Sequence, residues 1–300
     1  MTETFPFHSE QKAGLLQVRG ERENAVRDIY IESYGVRIRF SVNNRSALEA
    51  VEGILPVALP GDCFRFIEKT EVGHHFELIL DPADEDKGCN FYRNGRQVPN
   101  DHSRLDVLRG FESQIRLTVA EHAVERVFVH AGAVVWKGRA IIIPGNSFTG
   151  KTTLTAALVR KGAEYLSDEY AVFDEAGDVH PFLKTLSVRG VVDEFTQTEI
   201  PVEDFGGRRA HGKFPIGMVL ITEFQAAAEW RPLRLTPGLG VLEMLPNVVP
   251  VRYDPEFTLK VLNRVAKRAI ITKTFRDDAA KCAESVLDYF ESECLKNQGF

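Results

Sequence analysis

Cysteine is scarce in this chain of 300 residues. It has four thiols, Cys63, Cys89, Cys282 and Cys294, none in a C-x-x-C pair and none with histidines clustered around it. That argues against a disulfide framework and against a structural zinc site, and the expectation is reduced thiols in a cytoplasmic protein. Positive charge is not in excess either: 37 Lys plus Arg stand against 43 Asp plus Glu, a net charge of -6. A nucleic-acid partner held by phosphate neutralisation is therefore not expected. No apolar run approaches the length of a membrane span, and residues 1–10 are polar and acidic, without the apolar core of a signal peptide. No membrane partner is expected. Internal repeats and low-complexity tracts are missing, as are a G-x-S-x-G elbow and an H-E-x-x-H pair. The H-R-D pattern of ordinary eukaryote-type protein kinases is missing too.

What is present is one strong motif. Gly145-Asn146-Ser147-Phe148-Thr149-Gly150-Lys151-Thr152 fits the phosphate-loop pattern G-x-x-x-x-G-K-[ST] at every fixed position. Its context fits as well: residues 140–143, Ala-Ile-Ile-Ile, read as a strand entering the loop, and residues 152–160 read as a helix leaving it. Glycines let the backbone wrap tightly with its N–H groups inward, and the helix N-terminus adds positive potential at the same point. The reading assigns nucleotide phosphates to Gly145 through Thr152 and to Thr153. Lys151 would reach the β- and γ-phosphate oxygens, and the Thr152 hydroxyl would ligate Mg²⁺.

Periodicity divides the chain in two. Residues 1–122 read as a small β-rich region, and residues 123–300 as the loop-bearing part. In the first region the opening 25 or so residues read as a loose arm. Val36, Ile38, Phe40 and Val42 alternate with polar residues as in a half-buried strand. Residues 63–67 and 75–80 read as strands, 81–87 as a charged loop, and 89–98 as a hairpin turning at Asn94-Gly95. Leu105, Leu108, Phe111, Ile115 and Val119 recur at helical spacing, and the helix is expected to start at Asn100 or Asp101. In the second region, strands are expected at 127–130, 133–136 and 140–143, with Lys137-Gly138 as a tight turn. The strand that carries the loop thus becomes one arm of an antiparallel hairpin, where most phosphate-loop enzymes have a parallel sheet. Further on, strands are expected at 164–166, 170–173, 216–224, 231–235 and 269–275. Helices are expected at 237–245, from Asp254 to about 267, and from 277 to about 295.

Asp168 and Glu169 follow Lys151 by 17 and 18 residues, at the end of the next strand. Phosphoryl transfer needs a carboxylate near Mg²⁺, and transfer to a hydroxyl benefits from one that accepts its proton. The plain alternative is two solvated acids in a turn. His130 ends a strand beside the loop. Arg189 could meet phosphate through its guanidinium fork, or be a surface arginine. Arg208 and Arg209, with His211 and Lys213, form a glycine-bounded basic loop. It could close over an anionic ligand, or stay solvated.

The stretch 130–174 resembles the catalytic core of the bacterial HPr kinase/phosphorylase family. The matching residues are His130-Ala131-Gly132, the phosphate loop, Lys161-Gly162, Ser167-Asp168-Glu169 and, later, Val188-Arg189-Gly190. The chain departs from the family pattern at Asn146, Thr152, Glu169 and Ser187, and lacks the glycine-rich continuation tied to phosphorylase activity. It looks closer to shortened relatives found near peptide-modification genes. The resemblance implies an α/β (α+β) fold, a mixed-sheet phosphate-loop core of the HPr kinase and phosphoenolpyruvate carboxykinase type with a smaller β-rich N-terminal region. It implies Asp168 as the acid that handles the acceptor's proton, Glu169 supporting metal or geometry, and His130 beside the phosphates. The expected activity is ATP- and Mg²⁺-dependent phosphorylation of a hydroxyl, serine in a protein or peptide partner. A nucleotide-sensing module that transfers nothing, and a small-molecule kinase, stay open.

Overall fold

The computed structural model describes residues 27–81, 88–101, 103–146, 149–189 and 197–297. The expected N-terminal arm, most of the charged loop at 81–87, and Ser147 and Phe148 of the phosphate loop lie outside the described residues.

In the N-terminal region β1 (Arg27–Ser33) and β2 (Val36–Val42) form an antiparallel hairpin, and α1 (Arg45–Ala58) follows. Then come β3 (Arg65–Phe66), β4 (His74–Ile79), β5 (Asn90–Arg93), β6 (Arg96–Gln97) and α2 (Arg104–His122). The strands make a six-stranded sheet in the order β3-β1-β2-β4-β5-β6. Ile31, Ile38, Phe40, Phe76 and Leu78 alternate inward from it, and Val51 and Leu55 of α1 and Phe111 and Ile115 of α2 cover them. The Phe111 ring packs edge-on against Phe40, Phe76 and Phe91 at 5.6–5.9 Å between centroids.

Helix α1 was not expected from the sequence. Pro56 lies in its last turn, where a proline ordinarily argues against helix, but Asn44 caps its start by accepting from the Ala47 N–H. The α2 start is corrected from Asn100 or Asp101 to Ser103, whose Oγ accepts from the Asp106 N–H at 3.2 Å. The Asn94-Gly95 hairpin is as expected, both residues having positive φ.

The second part begins with β7 (Arg126–Trp136), one continuous strand where two were expected. Its length has a purpose in the pairing. The first half runs beside β10 (Tyr170–Asp174), the second half beside β9 (Glu164–Ser167), and its other edge pairs with β8 (Arg139–Pro144). Lys137 and Gly138, both at positive φ, make the expected turn between β7 and β8. After β8 come the phosphate loop and α3 (Lys151–Arg160). Further along are β11 (Asp178–His180), the small hairpin β12 (Leu186–Arg189) and β13 (Gln197–Ile200), β14 (Phe214–Phe224) and β15 (Leu233–Arg234). Helices α4 (Pro237–Met244) and α5 (Pro255–Arg268), β16 (Ile270–Arg276) and α6 (Ala279–Asn297) end the chain.

The eight-stranded sheet is mixed: β8 is antiparallel to β7 and parallel to β14, which is parallel to β16. The fold is thus α/β with mixed sheets and a β-rich N-terminal region, as expected. Both faces of β8 are covered, which is why its sequence is continuously apolar. Ile141 and Ile143 face α3 and α6 with Leu154, Leu158, Val286 and Phe290. Ala140 and Ile142 face the side of α5, with Val261, Leu262 and Val265. Each buried Ile contributes about 2 kcal/mol relative to exposure.

The proposed division at 122/123 falls between α2 and β7, but the hydrophobic core does not stop there. Phe128, Tyr170, Val172 and Phe182 of the second part belong to the cluster built on the N-terminal sheet.

Candidate active site

Strand β8 ends at Pro144 and delivers Gly145 directly under β7, where the Gly145 N–H donates to the His130 carbonyl at 3.3 Å. A Cβ at Gly145 would sit 2.7 Å from Thr149 Oγ1, so a larger residue there would force the Thr149 side chain to move. The Asn146 carbonyl gathers the loop: it accepts from the Lys151 ammonium at 2.7 Å and from the Thr149 hydroxyl at 2.9 Å. Gly150, at φ 79°, turns the chain into α3 as its N-cap. The free N–H groups of the first helical turn, including those of Thr152 and the exposed Thr153, open at this point.

Asp168 comes to the same place from the end of β9. It is 6% exposed, and its carboxylate accepts from three donors. The Thr152 hydroxyl reaches Oδ2 at 3.2 Å, the Ser187 N–H reaches Oδ2 at 3.1 Å, and the Tyr165 hydroxyl reaches Oδ1 at 3.0 Å. Ser167 shapes the turn, its Oγ accepting from the N–H groups of Glu169 and Tyr170. Glu169 is directed differently. Its carboxylate faces the Arg116 guanidinium of α2, Oε1 to Nε at 3.4 Å, while its carbonyl accepts from the Ala131 N–H.

Burial sets the charges. It pushes the Lys151 ammonium down to about 8, against the pull of Glu169 and Asp168. Burial, reinforced by the Lys151 charge, pushes the His130 imidazole down to about 4, so it is neutral near pH 7. Asp168 is raised by burial, opposed by the Ser187 N–H and the Lys184 ammonium. Burial alone would lower Arg116, but Glu169 and Glu112 outweigh it and hold the guanidinium up.

The structure therefore brings Gly145, Asn146, Thr149, Gly150, Lys151, Thr152, His130, Asp168 and Glu169 together. The contacts of Arg208 and Arg209 run elsewhere: Arg209 Nε pairs with Glu203 at 2.8 Å, and Arg208 Nη2 lies 4.0 Å from Glu164. The basic loop that carries them is pinned along β9 by the Tyr165 N–H to the Arg208 carbonyl and the Ala210 N–H to the Tyr165 carbonyl. Lys213 pairs with Asp174 and Asp178. Arg189 ends β12, two positions after Ser187, whose N–H reaches Asp168, and its side chain lies outside the described residues, as does Gly190.

No family model matches the chain, and no curated protein matches it. Among solved structures it is similar to the HPr(Ser) kinase/phosphatase from Coxiella burnetii. The two are 15% identical, the match covers 57% of this chain and 99% of that one, and the TM-score is 0.37.

Several neighbours of the loop carry no signal in the sequence. Lys184, 6% exposed, donates to Ser187 Oγ at 3.0 Å and to Glu199 Oε1 at 2.9 Å. Glu199 stands directly across the β12–β13 hairpin from Ser187 and also accepts from the Ser187 and Thr185 hydroxyls. Arg276 lies behind the loop, with Nη2 on the carbonyls of Thr149 and Gly150. Apart from Lys184 and Ser187, three positions apart, these pairings join different elements and follow from no spacing. Among the described residues no group of three or more His, Cys, Asp or Glu side chains forms a ready-made metal site, and no helix is long and apolar enough to cross a membrane. The Thr152 hydroxyl and the Asp168 carboxylate, paired at the loop, are hard oxygen donors of the kind Mg²⁺ takes alongside substrate phosphates.

Proposed function

We propose that this chain is an ATP- and Mg²⁺-dependent phosphotransferase that phosphorylates a hydroxyl, a serine of a protein or peptide. The observation that carries the reading is the Thr152–Asp168 hydrogen bond, which joins the second half of the phosphate loop to a buried carboxylate from another strand. In this reading the N–H groups of residues 147–153 and the Lys151 ammonium bind the β- and γ-phosphates. Thr152, with Asp168 or Glu169, would hold Mg²⁺, which when bound neutralises phosphate charge. Asp168 orients the acceptor hydroxyl and takes its proton as the acceptor oxygen bonds to the γ-phosphorus. The bond from that phosphorus to the β–γ bridging oxygen breaks, and ADP leaves with the electron pair. Positioning and charge neutralisation supply most of the rate. Neutral His130 sits beside Lys151 and adds no competing charge. The unexposed position of Asp168 supports a raised affinity for a proton, as suits a base that must also release it.

A second reading is a nucleotide sensor without transfer. It is favoured by the burial of Asp168 and by its three hydrogen bonds, which leave little of its surface open to an acceptor. The deciding experiment incubates the protein with γ-labelled ATP, Mg²⁺ and a lysate of the source organism. Label on a protein or peptide serine, lost in Lys151→Ala and in Asp168→Asn, supports the kinase. Label on a metabolite moves the reading to a small-molecule kinase. Tight Mg-nucleotide binding with no labelled product supports the sensor.

A further inference from the structure

Arg276 is the last residue of β16 and is 4% exposed. Its Nη2 donates to the carbonyls of Thr149 at 2.9 Å and of Gly150 at 3.0 Å. Nη1 reaches the Asp277 carbonyl at 3.5 Å, and Nε is buried without a hydrogen-bond partner. The Phe224 ring lies 6.0 Å from the guanidinium carbon. Among the described residues no carboxylate forms an ion pair with this arginine, whereas most of the other buried or half-buried cations near the site, Arg116 and Lys184 among them, have one. A buried cation without a counter-ion is costly, so it must be balanced by dipoles or by an anion that arrives later.

The two carbonyls identify the dipoles. In a planar trans peptide the C=O of one residue and the N–H of the next point in opposite directions. The Thr149 carbonyl shares its peptide with the Gly150 N–H, and the Gly150 carbonyl shares its peptide with the Lys151 N–H. Both N–H groups belong to the start of α3, where the loop opens. A cation on the carbonyl side draws electron density through the peptide and makes the N–H on the other side a stronger donor. It also fixes which way those N–H groups face. A Cβ on Gly150 would lie 2.2 Å from Arg276 Nη2, so a larger residue would have to displace the guanidinium, and the φ of 79° itself favours glycine.

We propose that Arg276 is a positioning residue for nucleotide phosphates: it holds the Thr149 carbonyl and, together with the Leu154 N–H, the Gly150 carbonyl away from the loop opening, strengthens the Gly150 and Lys151 N–H donors, and supplies a buried counter-charge to the triphosphate. This rests on the nucleotide reading above. Such a role predicts a defect in phosphate affinity beyond any defect in folding.

Arg276→Met keeps the length and apolar stem and removes charge and donors, while Arg276→Lys keeps the charge without the fork. Binding of Mg-ADP is measured by calorimetry on the full chain, alongside thermal unfolding and the amide proton resonances of Gly150 and Lys151. The expected result is a loss of tenfold or more in affinity for Arg276→Met, a smaller loss for Arg276→Lys, and an upfield move of both amide protons. If Arg276→Met does not fold, the Lys variant decides, with at least a threefold loss expected. Variants that bind Mg-ADP within twofold of the wild type, with unmoved amide protons, overturn the proposal. Wild-type protein that binds Mg-ADP no better than Lys151→Ala overturns the nucleotide reading itself, a different failure.

Discussion

Arg116 on α2 and Glu169 at the end of β9 meet with Nε 3.4 Å from Oε1, so a helix of the N-terminal region reaches the acidic doublet beside the phosphate loop. The Arg116 side chain is 11% exposed and also holds Glu112 at 2.7 Å. Removing the cation would leave two carboxylates facing each other with little water. Arg116→Ala is expected to destabilise the protein by about 2 kcal/mol, less than a fully buried pair because Glu169 keeps some contact with solvent. In a double-mutant cycle, Glu169→Gln should recover about 1 kcal/mol of that loss. Urea unfolding of the four proteins measures it. Additive effects would mean that the pair is not coupled.

How much of this was legible beforehand differs by element. The phosphate loop, its flanking strand and helix, and the β7–β8 hairpin could be read because each is local: a fixed motif, an apolar run, and a Lys137-Gly138 turn. The acidic doublet could be placed at the end of a strand, and its return to the loop followed from one helix and one strand of intervening chain. Arg116, Tyr165, Lys184, Glu199 and Arg276 could not be found in this way. The Arg276 contact to Gly150 spans 126 positions, and no periodicity reports a contact made across sheet order. Helix α1 was missed: Pro56 removes one donor from its last turn, and the helix holds through its Asn44 cap and the burial of Ala47, Val51 and Leu55. For the basic loop the sequence left closure and solvation both open, and the structure adds what no spacing reports: its backbone is tied to Tyr165 at Arg208 and Ala210.

Gly132 faces Thr155 of α3 so closely that an added Cβ would lie 2.3 Å from Thr155 Oγ1 and 3.6 Å from its Cβ. Gly132→Ala should therefore push α3 away from β7 and destabilise by about 2–3 kcal/mol. Thr155 is fully buried and its hydroxyl has no hydrogen-bond partner, so Thr155→Ala alone should be mild. The double variant Gly132→Ala/Thr155→Ala should regain most of the lost stability, as followed by thermal unfolding. Failure of the second substitution to rescue would place the strain elsewhere.

If the loop binds nucleotide as proposed, Lys151 should set a pH limit on that binding. In the free protein its ammonium is lowered to about 8 by burial, with Glu169 and Asp168 pulling the other way. Phosphate favours the charged form, so the bound lysine titrates higher. Affinity for Mg-ADP should be flat on the low side of pH 8 and fall by up to tenfold per pH unit above it, until the bound lysine also loses its proton. Lys151→Arg, which stays charged, should bind more weakly at pH 7 but lose this alkaline decline. Calorimetry from pH 6.5 to 9.5 tests both, and an unchanged wild-type affinity at pH 9.5 would contradict the assignment.

Tyr165 offers the sharpest test of Asp168. Its hydroxyl is within 3.0 Å of Asp168 Oδ1 and 2.6 Å of the Lys184 carbonyl, and its one proton is shared between these two acceptors. Tyr165→Phe removes that donor from a buried site and should cost about 1–2 kcal/mol in stability. A donor to a carboxylate favours its ionised form, so losing it raises an Asp168 that burial has already raised. If Asp168 takes the acceptor's proton, it must be ionised at the start of the reaction. The acid limb of the pH profile for transfer should then move to higher pH in Tyr165→Phe, with affinity for Mg-ADP at pH 8 changed less than threefold. A variant that loses transfer equally at every pH would make Tyr165 a support for the fold alone. An unshifted acid limb with normal transfer would take the proton-accepting role away from Asp168.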